Sequence, residues 1–294
     1  MAQYAYMIIG QPSLDVNTDH LGVTVRETGG AVVYSAYAAS ALGHSVLALG
    51  KCNPAEIDLP AVFARAARVT LAPCAAQTST SIANTYHTAD KERRTCRVIS
   101  RIPAYTPADL PTEGAAIYHI AGLMRGDIEE SVIEEAAKRG MVAVDVQGFL
   151  RCVRPDGSME FEDWPRKKEL LPRIRFLKTD AAEAEILTGT DDRRRAAAML
   201  ADWGAQEIMI THNTEVLIFA GGEYTVQPLR PRNLSGRSGR GDTCFASYIT
   251  ERAARSIPEA LQTAAALVSC KMEQPGPFAW DRAVVEQYIR NFYA

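Results

Sequence analysis

The sequence predicts a protein of the α/β class, with a mainly parallel central sheet, helices on both of its faces and a small second β-sheet. Short apolar strands alternate with helical stretches after Pro111, which is the pattern of right-handed βαβ units. Residues 78–102 instead contain two strand-like stretches around a polar turn, as in a β-hairpin. No internal repeat, low-complexity tract or linker divides the sequence. We therefore expect one three-layer α/β/α domain over residues 1–294.

The composition is that of an ordinary globular protein. Hydrophobic residues make up 47% of the chain and charged residues 23%, and the net charge of −3 argues against a surface for nucleic acid or an anionic membrane. The six cysteines form no C-x-x-C pair, so neither a zinc site nor a disulfide framework is indicated. No stretch has the ~18 apolar residues of a spanning helix, and the N-terminus lacks a basic leader segment. We expect a cytoplasmic protein with free thiols and a small-molecule partner.

The first strand is predicted at residues 4–10, an apolar run that ends in glycine. Asp15 follows near its carboxyl end, which is the edge where open α/β sheets bind ligands, so this carboxylate could grip substrate hydroxyls. An Asp in a surface turn is an equally common interpretation. Gly29 and Gly30 precede a helix of small residues over 31–42, where either close approach of a ligand or close packing against the sheet calls for glycine.

A small sheet is predicted to cover the ligand edge. It would combine an exposed strand over residues 21–27 with a hairpin whose strands lie at 82–87 and 95–99. Residues 90–93 would be the solvated tip of that hairpin. The remaining alternation predicts strands at 46–50, 117–120, 141–146, 175–178 and 208–211, helices at 59–67, 128–139, 181–187 and 193–203, and a hairpin over 215–227 with Gly221 and Gly222 at its turn.

Residues 235–245 form a glycine-punctuated turn that runs directly into a helix. The apolar residues from Phe245 onward follow a helical spacing, so residues 239–242 lie at the helix N-terminus. Unpaired N–H groups and the positive end of the helix dipole suit phosphate oxygens at such a place. Asp242 would repel a phosphate unless it takes a proton, which is the arrangement of a phosphoryl transferase. An ordinary N-terminal capping aspartate is the alternative.

The order of these features resembles the ribokinase-like (PfkB) carbohydrate kinase family over nearly the whole chain. The sequence Gly239-Arg240-Gly241-Asp242-Thr243, with Phe245, is similar to the family's G-A-G-D-x-F signature. Further matches occur in the family's order at residues 10–15, Gly29-Gly30, residues 145–151, Asp180-x-x-Glu183 with residues 185–189, and residues 264–276. Together these matches imply a ribokinase-like fold with a small lid sheet.

The resemblance implies an ATP- and Mg²⁺-dependent kinase for a small polyhydroxy acceptor such as a sugar, an inositol or a nucleoside. Asp242 would be the general base, and the backbone N–H groups of Gly239, Arg240 and Gly241 would hold the charge that builds up on the transferred phosphoryl group. A catalytically silent relative that binds a sugar or nucleotide and regulates another process is the alternative function.

The resemblance also implies binding roles. The acceptor would contact Asp15, Gly29, Gly30 and Tyr34, while Asp180 and Glu183 would position Mg²⁺ through water. The nucleotide would lie near Asp180, Thr211 and Arg237. Residues 14–28 and 76–104 would form the lid, which could also pair two subunits into a homodimer. Whether a monovalent cation is needed stays open.

Several positions depart from the family pattern. Family members usually carry Asp at position 236, Ala or Gly at position 240 and Asn at position 180, where this chain has Gly236, Arg240 and Asp180. With Arg237 the site gains two guanidinium groups, and we expect an arginine to reach a phosphate on the donor or on the substrate. Residues 211–216 lack both glycines of the T-x-G-x-x-G nucleotide loop. Tyr34 stands where many ribose and fructose kinases have Asn. An aromatic ring at this position is similar to the inositol and nucleoside branches of the family.

Two other enzyme classes fit the sequence poorly. A dinucleotide-dependent dehydrogenase would need a G-x-G-x-x-G after a strand, and a P-loop enzyme would need G-x-x-x-x-G-K-[ST]. Neither motif is present in the sequence.

Overall fold

A nine-stranded sheet runs through the computed structural model, which describes residues 3–72, 74–88 and 93–294. The strands of this described chain are β1 (Tyr4–Ile9), β2 (Ser13–Thr18), β3 (Thr24–Gly29), β4 (Val46–Leu49), β5 (Lys51–Cys52), β6 (Val69–Leu71), β7 (Cys74–Ala75), β8 (Thr80–Tyr86), β9 (Arg94–Ser100), β10 (Ala115–Ile120), β11 (Met141–Asp145), β12 (Arg151–Val153), β13 (Met159–Phe161), β14 (Phe176–Asp180), β15 (Glu207–Thr211), β16 (Glu215–Ala220) and β17 (Glu223–Pro228).

Helices connect these strands and pack on both faces of the sheet. In chain order they are α1 (Ala31–Ala41), α2 (Leu59–Val62), α3 (Ser131–Ala137), α4 (Gln147–Leu150), α5 (Lys167–Leu170), α6 (Ala181–Thr188), α7 (Arg193–Asp202), α8 (Arg240–Glu251), α9 (Ile257–Met272) and α10 (Arg282–Phe292). Short 3₁₀ turns lie at Pro107–Asp109 and Leu171–Arg173.

The central sheet has the strand order β17-β16-β15-β14-β11-β10-β1-β4-β6. Seven neighbouring strands of this sheet, β15, β14, β11, β10, β1, β4 and β6, are parallel to one another. At one edge, β16 pairs antiparallel with β15 and forms an antiparallel hairpin with β17. Because neighbouring strands are parallel, their carboxyl ends meet at one edge of the sheet. This edge is where the fold can assemble a ligand site.

Two hydrophobic cores lie on opposite faces of the sheet. Along β1, Tyr6 and Ile8 pack into the core under α1, α8, α9 and α10, whereas Met7 and Ile9 pack into the core with α3, α6 and α7. This alternation follows from the two-residue period of a strand, and a strand buried on both faces is apolar throughout. The predicted three-layer α/β/α fold is thereby confirmed.

The small sheet contains four strands in the order β3-β2-β8-β9. The pairs β2/β3 and β8/β9 are antiparallel, and β2/β8 is parallel. The predicted strands near residues 21–27, 82–87 and 95–99 correspond to β3, β8 and β9. The strand β2 was not predicted from the sequence. The predicted hairpin tip at residues 90–93 lies almost entirely outside the described residues.

The helix predicted at residues 59–67 was wrong in its length. Asp58 caps α2 by accepting a hydrogen bond from the Ala61 N–H at 3.1 Å, but the helix ends after one turn at Val62. Turn-type bonds such as Ala66 N–H to the Phe63 carbonyl then lead into β6. The short connection between β5 and β6 thus overrides a favourable local helix propensity.

Candidate active site

Two predicted site residues, Asp180 and Thr211, lie at the carboxyl edge of the central sheet with Asp145, the first residue of the matched stretch 145–151. Asp145 ends β11, Asp180 ends β14 and Thr211 ends β15. The strand register places Asp145 beside Lys178, and Asp180 beside Thr211. Residues that are far apart in the sequence are therefore neighbours because three parallel strands end together.

Helix α8 begins in front of this edge, at a sharply turned glycine. Gly239 has a left-handed backbone with φ of 71°, and it accepts a hydrogen bond from the Thr243 N–H at 3.0 Å. A Cβ atom at Gly239 would collide with the ring of Tyr34. Both the backbone conformation and the adjacent ring therefore require glycine. Helix geometry leaves the first-turn N–H groups without acceptors inside the helix. The Arg240 N–H donates to the Arg237 carbonyl of the preceding turn, at 3.3 Å.

Asp242 lies in the first turn of α8 and is partly buried. Burial, followed by the negative charge of Asp145, raises the pKa of Asp242 to about 6, although Lys178 and Lys271 act in the opposite direction. The carboxylate is therefore a stronger base than an exposed aspartate and is still mostly ionised at pH 7. These are the properties that a general base at neutral pH needs.

Two buried lysines that the sequence analysis did not single out complete the site, and the first is Lys178 of β14. Its Nζ lies 2.9 Å from Asp145 Oδ2 and 4.0 Å from Glu183 Oε2. It also lies 3.3 Å from the place of a Cβ on Gly241, against the backbone of the α8 turn. Burial alone would lower the pKa of Lys178, but the charges of Asp145 and Glu183 raise it. A lysine next to two large apolar residues, in a strand predicted to lie in the central sheet, was the available sequence signal.

The predicted metal residues Asp180 and Glu183 form a capping box at the start of α6. Asp180 Oδ1 accepts from the Glu183 N–H, and Glu183 Oε2 accepts from the Asp180 N–H, both at 2.8 Å. Glu183 is buried, which raises its pKa to about 7. Within the described ranges no group of three His, Cys, Asp or Glu side chains is arranged to hold a metal. Oxygen ligands of this kind suit Mg²⁺ when water completes its shell.

The two arginines of the glycine-rich turn occupy different places. Arg240 Nη1 and Nη2 each lie 3.1 Å from Oδ1 of Asn213, so this guanidinium bridges α8 to the loop between β15 and β16. This is the loop predicted to approach the donor phosphates. Arg237 is partly exposed in the turn before α8. The Thr211 hydroxyl is buried and meets the Thr179 carbonyl at 3.5 Å.

Asp15 lies on β2, and two glycines surround it. Its Oδ2 lies 2.7 Å from the place of a Cβ on Gly29, so a larger residue there would displace the carboxylate. Gly30 has φ of 99°, and a Cβ there would lie 2.5 Å from the Gln11 carbonyl oxygen. Burial raises the pKa of Asp15, and its Oδ1 is buried without a hydrogen-bond partner among the described residues. An acceptor atom of this kind needs a donor from a ligand or from water.

The ring of Tyr34, a residue of α1, lies directly against Gly239 at the start of α8. Its pKa is raised first by burial and then by the carboxylates of Asp15 and Asp242. The strand register places Glu27 directly opposite Asp15, so both carboxylates lie on one face of the small sheet. Because the charges of Asp15 and Asp242 both act on Tyr34, its ring lies near one predicted acceptor residue and near the predicted base.

A comparison with protein families identifies the chain. Residues 8–280 match the model of the pfkB family carbohydrate kinases. The chain belongs to this family. The family is one of carbohydrate kinases.

Similar solved structures come from the ribokinase family. A pyrophosphate-dependent kinase complexed with a pyrophosphate analog and myo-inositol is 31% identical, with a TM-score of 0.87, over 96% of this chain and 99% of that chain. A pyrophosphate-dependent myo-inositol-1 kinase converted into a myo-inositol-3 kinase by mutation is 29% identical, also with a TM-score of 0.87, over 98% of this chain and 100% of that chain. Ribokinase from Arabidopsis thaliana, complexed with ribose and ATP, shares the fold at 16% identity and a TM-score of 0.78, over 99% of each chain.

Sequence relatives of this PfkB-family chain include a plant enzyme. Inositol 3-kinase from Zea mays is 28% identical over 245 residues, which are 77% of this chain and 61% of the maize protein. Cytidine kinase from Thermococcus kodakarensis is 28% identical over 85 residues, 28% of this chain and 31% of that protein. Both alignments therefore span less than two thirds of the relative. Among the described helices, none has the length and apolar character needed to cross a membrane.

Proposed function

We propose that this kinase phosphorylates a hydroxyl group of an inositol-type cyclic polyol, with Asp242 as general base. The observation that carries the proposal is the position of Tyr34, whose ring lies directly against Gly239 and whose pKa is raised by burial and then by the carboxylates of Asp15 and Asp242. A small polyol on the Tyr34 ring would reach Asp15 and Asp242 at the same time. The unpartnered Oδ1 of Asp15 supports this pose because a buried acceptor is costly without a hydroxyl donor.

The backbone of residues 239–242 would stabilise the transferred phosphoryl group. Asp242 would remove the proton of the attacking hydroxyl, and the first-turn N–H groups of α8 would bind the equatorial oxygens as their charge redistributes. The raised pKa of Asp242, about 6, supports its role as the base. We assign the anion hole to Gly239, Arg240 and Gly241, with Arg237 close to the donor.

The inositol-type acceptor is supported by similar proteins and by the side chains of the site. A similar structure contains myo-inositol, and the maize relative is an inositol 3-kinase. The Tyr34 ring offers a flat apolar surface to the C–H face of a cyclohexane polyol, while Asp15 binds its hydroxyls. Gly29 and Gly30 keep the backbone close enough for this contact.

We further propose that the phosphoryl donor is pyrophosphate, with ATP as the alternative that the sequence first indicated. The loop after Thr211 lacks both glycines of the expected nucleotide motif, and Arg240 bridges to Asn213 within it. Two similar structures at 29–31% identity are pyrophosphate-dependent. A donor without a nucleoside needs phosphate ligands such as Arg237 and Arg240 more than it needs a base pocket.

The oxygen ligands at the sheet edge fit Mg²⁺ held through water. Asp180 is partly exposed and keeps one carboxylate oxygen outside its capping bond, while Glu183 lies beside it. Mg²⁺ commonly retains several waters and binds through one or two carboxylates together with substrate phosphates. When bound there, it would neutralise charge on the donor. We propose Asp180 and Glu183 for this role.

A matrix of donors and acceptors tests the proposed function. The wild type is incubated with Mg²⁺, with pyrophosphate or ATP, and with myo-inositol, ribose or cytidine, and products are followed by ³¹P NMR. We expect one inositol phosphate and one orthophosphate from each pyrophosphate and myo-inositol. Asp242→Asn should lose about 10²- to 10⁴-fold in kcat while binding donor normally, because it removes only the base.

The other outcomes of this matrix are informative. Turnover with ATP but not pyrophosphate would refute the donor assignment, and turnover with only ribose or cytidine would refute the acceptor class. Ligand-induced stabilisation without turnover on any pair would favour the silent regulatory relative. Full activity of Asp242→Asn would remove Asp242 from the role of base.

We also propose that residues 14–28 and 76–104 act as the lid and mediate a homodimer. Exposed apolar side chains on the small sheet support this, among them Val23 and Val25. All six cysteines are free thiols, which supports a reducing, cytoplasmic location.

A further inference from the structure

The second lysine missed by the sequence analysis, Lys271, lies in the last turn of α9 and is only 1% exposed. Its Nζ donates to the Gly236 carbonyl oxygen at 2.6 Å and also to the Ser238 carbonyl oxygen. The Tyr34 ring centroid lies 5.1 Å away, within the range of a cation–π contact. The ammonium is therefore surrounded by two carbonyl oxygens and one aromatic face.

A buried ammonium group is costly unless polar groups around it stabilise the charge. Burial lowers the pKa of Lys271 to about 8, with Asp242 acting in the opposite direction, so the group is still mostly charged at pH 7. Its direct contacts are backbone dipoles of the turn before α8. Backbone carbonyl oxygens in such a cluster are also the ligands by which proteins hold dehydrated K⁺.

The carbonyls that bind Lys271 belong to the same peptide units as two N–H groups of the turn. A trans peptide is planar, with its C=O and N–H pointing in opposite directions. Holding the Ser238 C=O toward Lys271 therefore directs the Gly239 N–H to the other side. In the same way, holding the Gly236 C=O directs the Arg237 N–H. Lys271 thus sets the direction of the Gly239 N–H, which the proposed function assigns to phosphate binding.

The surrounding backbone holds the same turn against the end of α9. The Gly236 N–H donates to the Met272 carbonyl at 2.7 Å, and a Cβ at Gly236 would collide with the Gln274 carbonyl. The Ser235 hydroxyl donates to the Glu273 carbonyl at 2.6 Å. Lys271 supplies the charged contact in this junction, and its ammonium lies nearest to the peptide that precedes Gly239.

We propose that Lys271 is a positioning residue that acts as a built-in monovalent cation. Its ammonium fixes the turn over residues 236–239 in the phosphate-binding conformation, so the wild-type enzyme needs no K⁺. This inference rests on the proposed function of residues 239–242, and it also predicts a cation-binding behaviour that can be measured without turnover.

The test compares the wild type with Lys271→Ala in buffers where tetramethylammonium is replaced by K⁺, Na⁺ or NH₄⁺ at constant ionic strength. The wild-type kcat should be the same in all buffers. Lys271→Ala should lose about 10- to 100-fold in kcat in tetramethylammonium, the scale of a small misplacement of reacting groups. K⁺ or NH₄⁺ should restore most of that loss, while the KM for the acceptor changes little.

Lys51→Ala is the matched control. Lys51 is also buried, but it donates to the Ala104 carbonyl at 2.9 Å and pairs with Asp109 at 3.0 Å. Its substitution should lower stability without any rescue of kcat by K⁺. Equal rescue of both variants would overturn the proposal, because the effect of K⁺ would then be general.

Thermal melting separates this inference from the proposed reaction. K⁺ should raise the melting temperature of Lys271→Ala above that in tetramethylammonium and leave the wild type unchanged, whether or not a substrate has been identified. Activation of the wild type by K⁺ would overturn the proposal. If Lys271→Ala does not fold, this wild-type measurement alone tests the proposal. A folded Lys271→Ala whose kcat and melting temperature ignore all cations would overturn it as well.

Discussion

Asp242 connects the ionisation of a single carboxyl group with the rate of the proposed reaction. Its pKa is raised by burial and by Asp145, while Lys178 and Lys271 limit the rise. These three charges come from β11, β14 and α9, so the basicity of one side chain depends on three elements. The pH dependence of the enzyme is therefore a property of the assembled site.

We expect kcat/KM to rise as the pH increases through about 6, because Asp242 can accept a proton only when it is ionised. Asp145→Asn removes a negative charge that raises this pKa, so the rise should move to lower pH. Profiles of kcat/KM against pH for both proteins measure the shift. Asp156→Asn, in the exposed turn before β13, is the control and should leave the profile unchanged. An unchanged profile in Asp145→Asn would contradict this account.

Residues of the site differed in how far the sequence could predict them. Asp242 and Gly239 belong to one short motif, so the spacing of glycines before an apolar helical face was sufficient to mark them. Lys178 and Lys271 contact partners 33 and 35 residues away, and such contacts exist only after the strands and helices pack. The close approach of the Asp15 carboxylate to Gly29 depended in the same way on a strand register that the sequence did not indicate.

At the scale of elements, α8 is fixed at both of its ends. Its first turn carries the proposed anion hole, and its last residue, Glu251, is 2% exposed. Glu251 Oε1 lies 2.8 Å from His44 Nε2 and 2.6 Å from Arg282 Nη2. Arg282 also donates to the Leu42 carbonyl at 2.6 Å, so the ends of α1, α8 and α10 are joined. Hydrogen bonds and the charges of Arg282 and His44 outweigh burial and hold the pKa of Glu251 at about 2.

We expect Glu251→Gln to lower the free energy of unfolding at pH 7 by about 3 kcal/mol, because it removes the charge of a buried carboxylate and leaves the half-buried Arg282 and His44 without their anion. The stabilisation from ionised Glu251 is complete above its unfolded pKa and is lost as the pH falls toward about 2. The difference between variant and wild type should therefore narrow in acid. Urea unfolding at pH 7 and pH 3 measures it, and Glu223→Gln at an exposed hairpin turn is the control. A difference independent of pH would rule out this electrostatic origin.

Elements were predictable where one periodicity continued long enough. The buried strands β1, β10, β11, β14 and β15 and the β16–β17 hairpin were marked by apolar runs and turn glycines. Short elements were not, because tertiary pairing defines them. β2 is a strand through its pairing with β3 and β8, and the β12–β13 hairpin contacts β9 through the bond from the Val98 N–H to the Gly157 carbonyl at 2.8 Å.

At the scale of the whole molecule, the two edges of the small sheet differ. The β9 edge is covered in part, since Val98 and Arg97 both bond to the turn at residues 156–158. The β3 edge has no strand beside it within the described ranges. Val25 lies on the same face as Asp15 and Glu27 and is 49% exposed, and Val23 is 57% exposed. Exposed valines at the free edge of a sheet favour a partner that covers them.

A second copy of the chain is the partner that we expect, because a two-fold axis lets the same edge and face cover each other. Val25→Lys would place a charge in the centre of that contact, so it should convert a dimer into a monomer in sedimentation velocity or light scattering. Ile99→Lys is the matched control, since Ile99 is equally apolar and 59% exposed but lies on the opposite face of the lid. It should remain dimeric.

Because Asp15 and Glu27 share the face of Val25, the monomer should also show a higher KM for the acceptor with little change in kcat. A monomeric wild type, or loss of the dimer in Ile99→Lys alone, would refute a dimer that forms through Val25 and the β3 edge.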